Sequence, residues 1–142
     1  MTTGEFSGCK LALFMDGKIL VYMRDMKEGI PFPGMFDLPG GGREFDESPE
    51  QCVVRELHEE FGIKFSIERL RYKQRYDLSK PGDYGYFFVG ELSLAEAENI
   101  SFGDEGKYWR FMDVPEFLAH PDAILHLQER LLDYLEHSKI VE

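Results

Sequence analysis

Three carboxylates, Glu56, Glu59 and Glu60, follow shortly after a run of three glycines, Gly40, Gly41 and Gly42. At about 100° per residue the glutamates share one arc of a helix, while Val53, Val54, Leu57 and Phe61 share another. Like charges at these spacings cost a helix about 0.2–0.5 kcal/mol per pair, so the pattern is unfavourable unless something cationic sits against it. A hard divalent ion answers that description. Mg²⁺ takes oxygen ligands, keeps several waters and binds through a few carboxylates together with the phosphates of a substrate. A solvated acidic face, with Arg55 pairing locally, is the alternative that the same residues allow. The glycines permit backbone angles and a close approach to a ligand that side chains would block.

The carboxylates need a helix with defined ends, and the sequence supplies both. Ser48 reads as an N-cap, Pro49 as the first helical residue and Gln51 as the partner in a capping box. Gly62 reads as the stop. Upstream, two apolar runs, Cys9 to Met15 and Lys18 to Met23, flank Asp16-Gly17 and predict an antiparallel hairpin. Arg24 closes the second run and reads, by position, as a solvated charge at a strand end. Asp25 to Met35 is an irregular loop, after which Phe36-Asp37-Leu38 re-enters a sheet. Downstream, Ile63 to Asp77 suggests extended chain interrupted near Glu68-Arg69, Ser79 to Asp83 a turn, and Tyr84 to Leu92 a buried strand. The state of Leu94 to Asn99 is left open by its residues. Tyr-Trp-Arg-Phe-Met at 108–112 reads as the last strand, followed by a short turn or helix from Asp113. A C-terminal amphipathic helix runs from Pro121 or Asp122 to His137, on Ile124, Leu127, Leu131, Leu132 and Leu135. Residues 1–7 have no pattern and read as a loose start. Strands interrupted by two substantial helices give an α/β layered domain.

The spacing of the glycine-to-glutamate stretch is more specific than any of its parts. Gly41, five residues, Glu47, seven residues, Arg55-Glu56-Leu57, one residue, Glu59-Glu60, one residue and Gly62-Ile63 match every fixed position of the Nudix box. The chain thus resembles the Nudix hydrolases in their MutT-like form. The Phe36-to-Gly41 entry and the Gly103-to-Phe111 segment extend the likeness beyond the box. The resemblance implies one domain over residues 1–142, with a mixed sheet between helices in an α/β/α arrangement. It also implies a metal-dependent hydrolase of a nucleoside diphosphate derivative, with Mg²⁺ as cofactor and Mn²⁺ as a substitute. Nucleoside triphosphate to monophosphate plus pyrophosphate is the first choice of reaction. ADP-ribose, a dinucleotide or a nucleotide sugar is the second, and a non-catalytic binding or regulatory module is the alternative of another class.

On matching positions the resemblance makes Glu56, Glu59 and Glu60 metal ligands together with the Gly40 carbonyl. Glu47 and Arg55 become a supporting pair that aims them, with Gly41 and Gly62 in structural roles. It gives Arg24 a phosphate contact and lets Phe36, Asp37 and Leu38 line the nucleotide pocket, although core packing explains Phe36 equally well. Glu105, in Gly103-Asp104-Glu105-Gly106, reads from composition as part of a solvated turn. The resemblance instead has it complete the metal site or help activate water, so Glu56, Glu59 and Glu105 form the catalytic set. His120 stands about where MutT-like enzymes carry a purine-reading asparagine, a departure that weakens an assignment to oxidised guanine nucleotides.

Composition bounds the rest. A chain of 142 residues with 43% hydrophobic and 14% aromatic residues is large enough for one substantial core. Its net charge of −11 repels nucleic acid and anionic membrane surfaces, so neither is an expected partner. A small nucleotide is, with the protein as monomer or homodimer. Two cysteines without metal-type spacing, Cys9 and Cys52, read as free thiols, with Cys52 on the same helical arc as the carboxylates. With no leader or long apolar run in view, the expectation is a cytoplasmic protein.

Overall fold

The structure, a computed structural model, describes residues 5–141. Strands β1 (Gly8–Met15) and β2 (Lys18–Met23) form the expected hairpin. Asp16 and Gly17 turn it with φ of 54° and 78°, the paired positive angles whose twist matches the strands on either side. Beyond Phe14↔Ile19 and Met15↔Lys18 the two strands part. Strand β3 (Phe36–Asp37) takes the freed end of β2, and β4 (Gly40–Gly42) takes the freed end of β1. The sheet therefore opens into a wedge filled by the segment that enters the glycines. Strand β7 (Tyr108–Asp113) covers the other edge of β2; β6 (Tyr84–Glu91) lies parallel to β1, and β5 (Tyr72–Asp77) lies antiparallel to β6.

Alternation along β1 sorts the core into two layers. Leu11 and Leu13 face α1 (Pro49–Phe61), which buries Val53, Leu57 and Phe61 on that side. Ala12 faces the opposite layer with Val21, Phe87, Val89 and Met112, beneath α3 (Val114–Ala119) and α4 (Leu125–Val141). This is an α/β/α arrangement around a mixed sheet, as expected. The segment left open by sequence is α2 (Leu94–Glu98), nucleated by a capping box between Ser93 and Glu96.

Three expectations need correction. Residues 1–4 lie outside the described residues, but Phe6 is buried and packs edge-on against Tyr86, so the chain is already docked before β1. Ile63 to Asp77, by contrast, is interrupted where expected: Ile67–Arg69 forms a single 3-10 turn and one strand, β5, follows it. Helix α4 begins at Leu125 rather than Pro121 or Asp122: those two residues form a turn closed by Ala123 N donating to His120 O, and Ala123 then bridges Phe36 at the sheet edge. Leu132, counted into its apolar face, is exposed, and the buried stripe is Ile124, Leu127 and Leu131.

Candidate active site

Helix α1 is fixed at both ends by its own sequence. Ser48 Oγ accepts from Gln51 N at 3.1 Å and Gln51 Oε1 accepts from Ser48 N at 2.9 Å. At the other end Gly62, with φ 69°, donates its N–H to His58 O. Between them the arc that carries Glu56 and Glu60 faces strand β4 rather than bulk water. Gly40 N donates to Glu60 Oε1 at 2.9 Å, and a Cβ on Gly41 would stand 1.8 Å from Glu56 Oε2. A side chain at Gly41 would displace the Glu56 carboxylate. Cys52 does lie on the carboxylate arc, and for that reason it is fully buried, its thiol 3.7 Å from Gly41 O. Cys9 and Cys52 are both free and buried, and the Cys52 thiol and burial together hold the Cys9 thiol far above the ordinary range.

Arg55 ties the helix to the loop before it. Its guanidinium holds Glu47 in a two-pronged pair, Nε to Oε2 at 2.7 Å and Nη2 to Oε1 at 2.9 Å, and also donates to Gly42 O and to Glu59 Oε1. This contact holds the Glu47 carboxyl down at about 2. Glu59 stands on the exposed side of the helix, 3.0 Å from Arg55 Nη1, and the same guanidinium nitrogen lies 3.5 Å from Glu56 Oε1.

Burial, more than any neighbouring charge, pushes Glu60 up to about 8, with Glu56 and Asp37 adding to it; Glu56 is raised as well, chiefly by burial. Two half-buried carboxylates that resist ionising side by side suit a divalent cation with oxygen preference. Among the described residues no three His, Cys, Asp or Glu side chains are yet drawn around one point. Glu59 is engaged by Arg55 and Glu60 by the Gly40 amide.

The wedge between β1 and β2 supplies the cationic side of the site. Asp37, 1% exposed, accepts at Oδ2 from Lys10 Nζ (2.9 Å), Arg24 Nη1 (2.9 Å) and the Tyr22 hydroxyl (3.1 Å), and at Oδ1 from Leu38 N (2.7 Å). Arg24 is thus an anchored guanidinium and not a solvated strand end. Lys10 also lowers the cost of ionising both Glu56 and Glu60. Sequence reading missed Lys10. Its signal is a lone cation inside the apolar run of a central strand, where a charge needs a partner.

Glu105 lies on an exposed loop and lines a cavity of about 210 Å³ with Tyr22, Arg24, Asp25 and Lys27. Its charge is felt at Glu56, and the loop is tied down by Gly103 N to Glu60 O, Gly106 N to Asp25 Oδ2 and Lys107 N to Met23 O. Phe36 and His120 meet each other edge-to-face at 4.9 Å, on the α4 side of the sheet. Phe36 is buried there among core residues, and Leu38, wholly buried, offers its carbonyl to Lys10 at 3.3 Å. The carboxylates, Gly40, Arg24, Asp37 and Glu105 are brought together; Phe36 and His120 form a second group on the opposite layer.

The glycine strand and the carboxylate helix lie against each other in an α/β/α fold, and comparison with known proteins says which family this is. The NUDIX domain family matches residues 11–134, and the chain belongs to that family. The 8-oxo-dGTP diphosphatase of Haemophilus influenzae is 30% identical over 115 residues, covering 80% of this chain and 82% of that protein. The mouse diphosphoinositol polyphosphate phosphohydrolase 3-alpha is 29% identical over 89 residues, 61% of this chain, and the chain spans only 54% of that protein's length. Among solved structures, a bifunctional NMN adenylyltransferase/ADP ribose pyrophosphatase from Francisella tularensis, complexed with AMP and Mn ion, superposes with a TM-score of 0.71 at 19% identity. That match covers 96% of this chain and 42% of the other. Among the described residues no helix is long and apolar enough to cross a membrane.

Proposed function

We propose that the protein hydrolyses the diphosphate linkage of a nucleoside diphosphate derivative, with nucleoside triphosphate to monophosphate plus pyrophosphate as the leading reaction. The observation that carries this reading is the pair of half-buried carboxylates, Glu56 and Glu60, held by a capped helix against Gly40 and Gly41. Bound there, Mg²⁺ or Mn²⁺ would neutralise charge on the non-bridging phosphate oxygens and lower the pKa of the attacking water. Glu56, Glu59, Glu60 and the Gly40 carbonyl would hold the ion, joined by Glu105. Arg24, anchored on Asp37, meets the phosphate chain, and Lys10 limits mutual repulsion between the carboxylates and the incoming anion. Arg55 and Glu47 keep Glu59 aimed. Glu105 takes the proton of the attacking water; the water oxygen joins phosphorus, the anhydride P–O bond breaks and the phosphorylated leaving group departs. The 8-oxo-dGTP diphosphatase relative supports a triphosphate substrate, whereas His120 in the asparagine position argues against selection for oxidised guanine.

The test is a panel of nucleoside triphosphates, ADP-ribose, dinucleoside polyphosphates and nucleotide sugars, each with Mg²⁺, Mn²⁺ and EDTA. Turnover should need the metal, and reaction in ¹⁸O-labelled water should place the label in a phosphoryl product. Full activity in chelator, or label confined to a sugar hydroxyl, overturns the reading.

Glu105→Gln should lower kcat more than it raises KM, because the loss falls on proton transfer rather than on binding. Asp104→Asn should be milder. Wild-type kcat for Glu105→Gln across a pH profile, with loss in Asp104→Asn, would move the role to Asp104.

A further inference from the structure

The α4 side of the wedge contains a cavity of about 250 Å³ that the chemistry above does not use. Its floor is the start of β1 and the glycine strand, at Lys10, Gly41 and Gly42; its wall is α4, at His126 and Arg130. Lys10 and Gly41 are the same residues that border Glu60 and Glu56, so the cavity adjoins the carboxylates through the sheet edge.

Arg130 distinguishes this cavity. Among the described residues Arg55, Arg24, Arg43, Arg69, Arg71, Arg75 and Arg110 all lie within ion-pair distance of a carboxylate, while Arg130 has no such partner. It is half-buried, and that burial pulls it below the usual arginine range. Its guanidinium lies 4.6 Å from the Tyr76 ring centroid, which holds one face of the planar group and leaves its N–H edge unclaimed. Tyr76 is itself fixed, its hydroxyl donating to Asp133 at 2.8 Å. One turn before Arg130, burial and then Arg130 itself hold the His126 imidazole below its ordinary value. Lys10, the other cation of the cavity, already has Asp37. A protein of net charge −11 thus keeps an uncompensated cation beside its carboxylate site, at a desolvation cost that an anionic ligand would offset.

We propose that this cavity is an anion subsite in which Arg130, stacked on Tyr76, selects substrates carrying a further phosphate away from the cleaved diphosphate. The inference rests on the reading of Glu56 and Glu60 as the site of cleavage. It names the substrate class more narrowly: nucleotides phosphorylated on the sugar as well as at the 5′ position.

The subsite is tested by binding, independently of turnover. Calorimetry on the whole chain in EDTA compares 5′-AMP with adenosine 2′,5′-bisphosphate and 3′,5′-bisphosphate. At least one bisphosphate should bind about tenfold or more tightly than AMP, as a charge-assisted contact predicts. Arg130→Gln should abolish that gain and Arg130→Lys should retain part of it. Arg75→Gln, which removes a cation from the neighbouring strand but outside the cavity, should leave it intact. Equal binding of all three ligands overturns the proposal, as does a gain that survives Arg130→Gln or is lost equally in Arg75→Gln. Paired turnover of NAD with NADP, and of dephospho-coenzyme A with coenzyme A, then reports on cleavage. A bisphosphate gain in calorimetry without hydrolysis of any diphosphate keeps the subsite and removes the reading it rests on, so the two fail separately.

Discussion

Glu60→Gln should lower kcat by several powers of ten and, in chelator, raise the melting temperature above about pH 8. The first effect follows from removing a ligand charge at the point where negative charge develops on phosphate, while the Gly40 N–H can still donate to the amide oxygen, so the fold persists. The second follows from linkage. A carboxyl whose folded pKa lies above its unfolded one gives stability that is whole below the ordinary carboxylate range and is lost as pH rises through the folded value, here about 8. Metal-free wild type should therefore melt at falling temperature from the ordinary carboxylate range up to about pH 8 and level off above it, Glu60→Gln should lack that fall, and added Mg²⁺ should restore the wild type by binding the ionised form. Glu56→Gln should match the kinetic loss. Near wild-type turnover in both variants would take the chemistry off this helix, and parallel melting curves for wild type and Glu60→Gln would dispose of the buried-carboxyl account.

Asp37→Ala should cost about 3–5 kcal/mol, a fall of about 10–15 °C in Tm for a chain of this size. Asp37 is 1% exposed and is the common partner of Lys10, Arg24 and Tyr22, as well as of the Leu38 amide. Its removal leaves two cations facing each other across the wedge with nothing between them. Both are about one-fifth exposed and regain some water, which keeps the estimate inside the range for buried pairs rather than above it. Asp37→Asn, which keeps the shape and the Leu38 bond, should lose less. Adding Lys10→Met to Asp37→Asn should recover part of the difference, since Arg24 is then left with no second cation to repel it. Thermal melts decide it: an Asp37→Ala variant melting within about 2 °C of wild type would mean that the wedge does not depend on this carboxylate.

What could be read in the sequence was what is local. Ser48, Gln51 and Gly62 bound α1 because caps are made by residues three or four apart. Asp16-Gly17 specified its hairpin in two residues. The carboxylate arc was legible for the same reason, but the direction it faces was not: that depends on β4, whose three glycines carry no alternation to mark them as a strand. The cationic half of the site was least visible. Lys10 and Asp37 stand 27 positions apart and meet only because β1 and β2 diverge, which no local pattern records. The bridge from Ala123 to Phe36, just ahead of α4, likewise reaches across most of the chain.

The parallel pairing of β1 with β6 joins residues 8–14 to residues 85–91, and this sets an order of assembly. During synthesis the hairpin emerges first and α1 can coil soon after, yet one edge of β1 stays open until β6 has been made. At about 5–20 residues per second that interval lasts several seconds. An unpaired central strand is a template for any other extended chain, so nascent copies on one messenger are most exposed to each other in that window. The same delay withholds the α4 wall of the wedge to the last. The carboxylate helix is thus ready before the cavity beside it has been built, and the assembled site awaits the final third of translation.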